Sequence, residues 1–165
     1  SSYGIYAVTG NHEYIGGDVD KIVECLSASG IHFLRDSGTE VCGIFLAGRD
    51  DISGKRFGEK PRESLDTIQV KNTSGRPVVL MDHQPSASAV NDAVRCSVNL
   101  LLRGHTHNGQ LWPFNHVVRM IYGISHGLIK KDSTYVYVSA GCGTWGPPVR
   151  TTCSPEISLI RIHFK

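Results

Sequence analysis

The 165-residue sequence predicts an α/β fold, layered, in a single domain over residues 1–165. Three observations predict it. Short apolar runs of strand length alternate with stretches of helical spacing. Several of those runs end in glycine- and histidine-bearing loops. No internal repeat, low-complexity tract or linker divides the chain.

The elements follow in order. Residues 5–9 form a strand that runs into Gly10-Asn11-His12-Glu13. Asp18 caps a helix whose inner face is Val19, Ile22, Val23 and Leu26, and Gly30 stops it. Residues 31–34 and 41–47 read as strands, with Asp36-Ser37-Gly38 as the turn. Residues 49–62 carry five basic and three acidic side chains and read as an exposed loop. A helix is predicted after Pro61, with Leu65 and Ile68 facing inward. Thr73-Ser74-Gly75-Arg76-Pro77 is a turn. A buried strand over 78–81 ends at Asp82-His83, a helix covers 86–95, and a second buried strand over 98–102 ends at Gly104-His105-Thr106-His107. After Trp112-Pro113-Phe114 the stretch to Lys131 looks less regular. Residues 135–139 form a strand, 141–150 a Gly/Pro-rich loop, and 157–164 a closing strand.

Composition narrows the class. Hydrophobic residues make up 40% and charged residues 19%, which is globular. A net charge of +2 gives no strong nucleic-acid signal, which argues against a nuclease. No apolar run reaches the ~18 residues of a membrane span, so the chain as given is expected to be soluble. The five cysteines show no zinc-finger or C-x-x-C spacing and are expected to be reduced and mostly buried. Cys142 is not expected to be a nucleophile, because no base stands beside it.

The chemistry gathers at strand ends. Three apolar strands end in Asn11-His12, His83 and His105-x-His107. Strand C-termini along one sheet edge converge on a common crevice. Imidazoles and an amide oxygen suit zinc, iron, manganese or nickel. His105 and His107 would point to opposite sides of an extended chain, so each contacts its own ion or a turn intervenes. His32, His116, His126 and His163 lack this setting and are expected to be non-ligands.

GNHE at 10–13, VVLMDHQP at 78–85 and GHTHNGQ at 104–110 resemble, in this order, the later motifs of the calcineurin-like metallophosphoesterase superfamily. SAGCGTWGPPVR at 139–150 resembles its bacterial, often membrane-associated branch. The resemblance implies a four-layer α-β-β-α sandwich with mixed sheets. It implies that Asn11, His83 and His105 hold one metal, that His107 holds a second, and that His12 stands beside the scissile phosphate as the catalytic histidine. It implies phosphoester hydrolysis (phosphodiesterase, phosphatase or pyrophosphatase) with two divalent ions of Mn, Fe, Zn or Ni type. In that chemistry metal-activated water attacks phosphorus. A nucleotide or a lipid-linked phosphoester is the implied substrate, and a bacterial membrane the implied location of the parent. Arg150 is a candidate substrate-phosphate contact by its guanidinium or else a structural arginine, and Trp145 and Trp112 are candidates to line the crevice or else ordinary packing residues. Gln110 is a candidate either for supporting the metal shell through a hydrogen bond or for a structural role.

The family's D-x-H and G-D motifs precede GNH[DE], and here GNHE begins at position 10. Neither Asp18 and Asp20 nor Asp50 and Asp51 occupy those places in the order. The chain is therefore expected to be the C-terminal portion of a longer protein, to hold at most one ion, and to be nearly inactive alone. An incomplete sheet predicts association with the N-terminal segment or with a second copy. The alternative reading is a non-catalytic metal- or anion-binding module.

Overall fold

The computed structural model describes residues 2–68 and 75–163. The elements are β1 (Ile5–Ala7), α1 (Asn11–Ile15), α2 (Val19–Ala28), β2 (Ile31–Phe33), β3 (Ser37–Val41) and β4 (Ile44–Gly48). They continue with β5 (Val78–Met81), α3 (Ala87–Arg95), β6 (Leu100–Arg103), α4 (Phe114–Tyr122), β7 (Gly127–Lys131) and β8 (Thr134–Val138). Six strands form a mixed sheet in the order β3-β4-β5-β6-β8-β7. Its centre, β4-β5-β6-β8, is parallel, and an antiparallel strand closes each edge. β1 and β2 make a separate parallel pair. This is the α/β architecture expected.

Strand alternation sends side chains to two faces. On one face Ala47, Val78, Leu80, Leu101 and Val136 pack with Val90 and Ala93 of α3. On the other, Leu46 and Val79 pack against Leu34, with Tyr6 and Val8 beside them. α2 lies on β2. The order is thus helix, sheet, sheet, helix. Gly48 lets the two sheets approach: a Cβ there would sit 2.5 Å from the Leu34 carbonyl oxygen and 2.6 Å from Val8. Beyond β1 and β2 the second face borders a cavity of about 890 Å³, lined by Val79, Leu100, Leu128 and Tyr135 on the sheet and by residues 158–163 across from them.

Several expectations are corrected. Asp36 is a turn residue, but Ser37 already begins β3, and the hairpin turn is Cys42-Gly43, with φ of 49° and 81°. β3 was hidden because it is an edge strand with polar residues outward; its Gly38 lies against the Phe45 ring, which a Cβ would meet at 2.4 Å. Residues 49–62 are not simply exposed. Arg49 and Asp51 are buried, and Asp51 caps a 3₁₀ turn, Ile52–Phe57, by accepting from the Ser53 N–H. Leu65 and Ile68 are buried as expected, but in turns rather than a helix. Residues 114–122 are helical although none of them is buried. Residues 157–163 form no strand, and Phe164 lies outside the described residues, as do Thr73 and Ser74. The cysteines are free, but Cys25, Cys42 and Cys142 are exposed. Among the described residues no helix is long and apolar enough to cross a membrane.

Candidate metal centre

The site forms where β1, β5 and β6 end. Asn11 opens α1, whose start is held by Glu13: its carboxylate accepts the Gly10 N–H at 2.6 Å. Gly10 has no side chain because His83 occupies that space; a Cβ would lie 3.0 Å from its Nε2. His83 follows β5. His105 follows β6 on a turn in which His105, His107 and Asn108 all have positive φ, at 69°, 48° and 49°. Non-glycine residues enter this region at a cost of roughly 1–3 kcal/mol, and such strain gathers at functional sites. A turn therefore intervenes between His105 and His107, one of the two alternatives the spacing allowed.

Three donor atoms converge. Asn11 Oδ1 lies 2.9 Å from His83 Nε2 and 3.2 Å from His105 Nδ1, and the two nitrogens are 3.3 Å apart. Two metal–ligand bonds of about 2.1 Å meeting at roughly 90–110° separate their donors by about 3.0–3.4 Å. The observed spacing therefore fits one ion with three protein ligands and an open position. Burial holds His83 and His105 below the ordinary histidine range, with His83 adding to the effect on His105. Neutral imidazoles are the form that ligates metal. Among the described residues no group of three or more His, Cys, Asp and Glu side chains could share an ion, so the amide of Asn11 is essential to this set.

Other predicted residues are placed as follows. His107 is held by Arg150, whose Nη2 donates to its Nδ1 at 3.1 Å. Burial, then Arg150, keeps the His107 pKa low. Arg150 also donates to the carbonyls of Ala140, at 2.7 Å, and Gly143, so it closes the 141–150 loop as well as standing at the site. His12 is exposed and lies within electrostatic reach of both His105 and His107. Trp145 and Trp112 are exposed, and Trp145 meets Gln110 through its backbone.

Gln110 grips that backbone on both sides, donating to the Trp145 carbonyl at 2.6 Å and accepting from its N–H at 2.6 Å. It is a loop anchor. Gln110→Ala is expected to speed hydrogen exchange at the Trp145 amide by about tenfold while metal affinity stays within twofold. A large fall in metal affinity would instead return Gln110 to the metal shell.

The sequence reading missed three contributors. Tyr122, from α4, puts its hydroxyl 3.2 Å from His105 Nε2, a hydrogen bond that orients the ring whose Nδ1 lies toward Asn11. The only signal was that Tyr122 ends an amphipathic stretch. Asp51 is buried; its Oδ1 accepts from Gln84 Nε2 at 2.7 Å, its Oδ2 has no hydrogen-bond partner, and its charge acts on both His83 and His105. Glu156 anchors the loop start, accepting from Ala140 N–H, Ser139 and Tyr137 at 2.9–3.0 Å and pairing with His126 Nε2 at 2.9 Å.

Burial opposes ionisation of Glu156, but those hydrogen bonds outweigh it and hold its pKa at about 2, against an ordinary 4.5. The contribution is present above pH 4.5 and is lost as pH falls through about 2. With allowance for solvent around this carboxylate it amounts to roughly 1–2 kcal/mol. Thermal melts should show wild type above Glu156→Gln by a constant margin near neutrality that shrinks below pH 4.5. A margin unchanged down to pH 2.5 would contradict the clamp.

Over 98% of its length the chain is 35% identical to an uncharacterized metallophosphoesterase of Helicobacter pylori, of which it spans 43%. It is 34% identical over 98% of its length to an uncharacterized metallophosphoesterase of Aquifex aeolicus, of which it spans 62%. Over nearly its whole length, then, the chain is similar to part of proteins named metallophosphoesterases. A transmembrane protein with metallophosphoesterase domain from Danio rerio is also 34% identical, over 95% of the chain and 38% of its own length. The chain thus spans less than half the length of the Helicobacter and Danio proteins. No family model and no solved structure matches it.

Proposed function

We propose that Asn11, His83 and His105 hold one divalent ion of an enzyme that hydrolyses phosphoesters, and that the described residues alone do not complete a second ion site. The observation that carries this is the convergence of the three donors at 2.9–3.3 Å. A bound divalent ion supplies Lewis acidity and lowers the pKa of water at the open position. Tyr122 fixes the His105 ring. His107, paired with Arg150, is one donor of the second site, whose remaining ligands come from elsewhere in the whole protein. Arg150 is held within reach of a phosphate at His107. His12, exposed beside His105 and His107, meets the substrate and carries the proton to the leaving oxygen. The substrate is a phosphoester, nucleotide-linked or lipid-linked, and the whole protein sits at a membrane. The chain alone is nearly inactive.

The test is hydrolysis of bis(p-nitrophenyl) phosphate by the whole protein with Mn²⁺. Metal-dependent turnover that falls roughly 10²–10⁴-fold in His12→Ala, with metal content unchanged, is the expected result. Metal binding with no turnover of any phosphoester would favour a binding module, since the convergent donors include no carboxylate. Turnover indifferent to both chelator and His12→Ala would overturn the assignment.

A further inference from the structure

The side of the sheet that carries α3 bears a second polar site. Asp82 continues the α3 side of β5, two residues after Leu80, while the next residue, His83, faces Asn11. Asp82 is 1% exposed and accepts from Arg62 Nη1 at 3.1 Å and from Arg103 Nη2 at 2.9 Å; Arg103 is fully buried. Arg49, 5% exposed, stands beside them at the end of β4. Three sequestered guanidiniums therefore surround one buried carboxylate.

Arg49 is not satisfied by the protein. Its Nη2 donates to the Glu63 carbonyl at 2.9 Å, but Nε and Nη1 are buried with no hydrogen-bond partner. The nearest carboxylate to Nη1 is Asp92 at 3.9 Å, beyond hydrogen-bond range and half taken by Arg95. Asp36 also faces Arg49, but its oxygens accept the N–H groups of Asp50 and Glu63. Burial and then Arg62 work against the Arg49 charge. A buried cation with unused donors is costly unless something anionic meets it.

Arg49 opens onto a cavity of about 360 Å³, at the small end of ligand pockets. Arg49, Lys55, Arg62 and Arg95 line it against Glu63 and Asp92. Lys55 has no ion-pair partner among the described residues. We infer that this pocket binds a phosphate group, free or on a small organic molecule, at a site separate from the metal donors. Guanidinium N–H groups and an exposed ammonium match a dianionic oxyanion better than a single carboxylate. The inference is independent of the phosphoesterase reading, because none of the metal donors lines the pocket.

The test is calorimetric titration of inorganic phosphate, and in parallel phenyl phosphate, into the chelator-treated chain. One saturable site is expected. Lys55→Glu, an exposed change, should weaken it about tenfold or more, and Arg49→Met should abolish it in protein whose circular dichroism is native. His105→Ala should leave it within twofold. Tighter binding of phenyl phosphate identifies a phosphorylated organic ligand; equal binding identifies phosphate itself. The site is refuted by the absence of saturable binding, by insensitivity to Lys55→Glu, or by loss in His105→Ala, which would place the phosphate at the metal donors.

Discussion

Asp82→Ala lowers the melting temperature by roughly 6–20 °C. The reason is the guanidiniums it leaves behind. Asp82 holds Arg62 at 3.1 Å and Arg103 at 2.9 Å in a region with almost no solvent. Removing one partner of a buried ion pair costs about 3–5 kcal/mol, because the remaining charge stays desolvated. In a domain of this size each kcal/mol moves the midpoint by roughly 2–4 °C. Arg103 cannot turn elsewhere, since its Nη1 already donates to the Gln84 carbonyl and its Nε has no partner. The network also reaches the metal centre through the chain, because Asp82 and Gln84 flank His83. Asp82→Ala should therefore weaken metal binding too. A melting temperature within 2 °C of wild type would show that the guanidiniums find other partners, and the network would then be peripheral.

His105→Ala lowers Zn²⁺ or Mn²⁺ affinity by roughly 100-fold or more, about 2.7 kcal/mol. It removes one of the three convergent donors, and the other two, 2.9 Å apart, hold an ion by a single edge. Tyr122→Phe gives a smaller loss, roughly 10-fold, because only the orientation of the His105 ring is released. His107→Ala leaves the first ion in place, since His107 is engaged with Arg150 and shares no bond with Asn11 or His83. Competition with a fluorescent zinc chelator measures all three. Equal losses in His105→Ala and His107→Ala would mean that both imidazoles serve one ion and that the Asn11 set is misassigned.

Much of this site was legible in the sequence, for a physical reason. β5 and β6 are continuous apolar runs because both of their faces are covered, and the break to His83 and His105 marks the strand end. The helix at Val19–Ala28 was equally plain from its cap and its spacing. β3 was not, because an edge strand presents polar residues to solvent and reads as a turn. α4 was not, because it begins after Pro113 without a side-chain cap and its amphipathic stretch buries no residue, leaving Met120 85% exposed. Tyr122 fell with it. The Asp82–Arg62–Arg103 network was hidden differently. Its members lie 20 and 21 positions from Asp82, and only the β5–β6 register and the path of residues 49–62 bring them together.

Elemental mass spectrometry of the chain, loaded with Mn²⁺ or Zn²⁺ and then exhaustively dialysed, tests the central claim most directly. One ion per chain in wild type, falling to well below one in Asn11→Ala and His105→Ala but not in His107→Ala, is the predicted result. Two tightly held ions would contradict it, because a carboxylate such as Asp51 would then have to complete a second site. No retained ion would contradict it from the other side, since the three donors would then be a hydrogen-bonded cluster and not a metal centre.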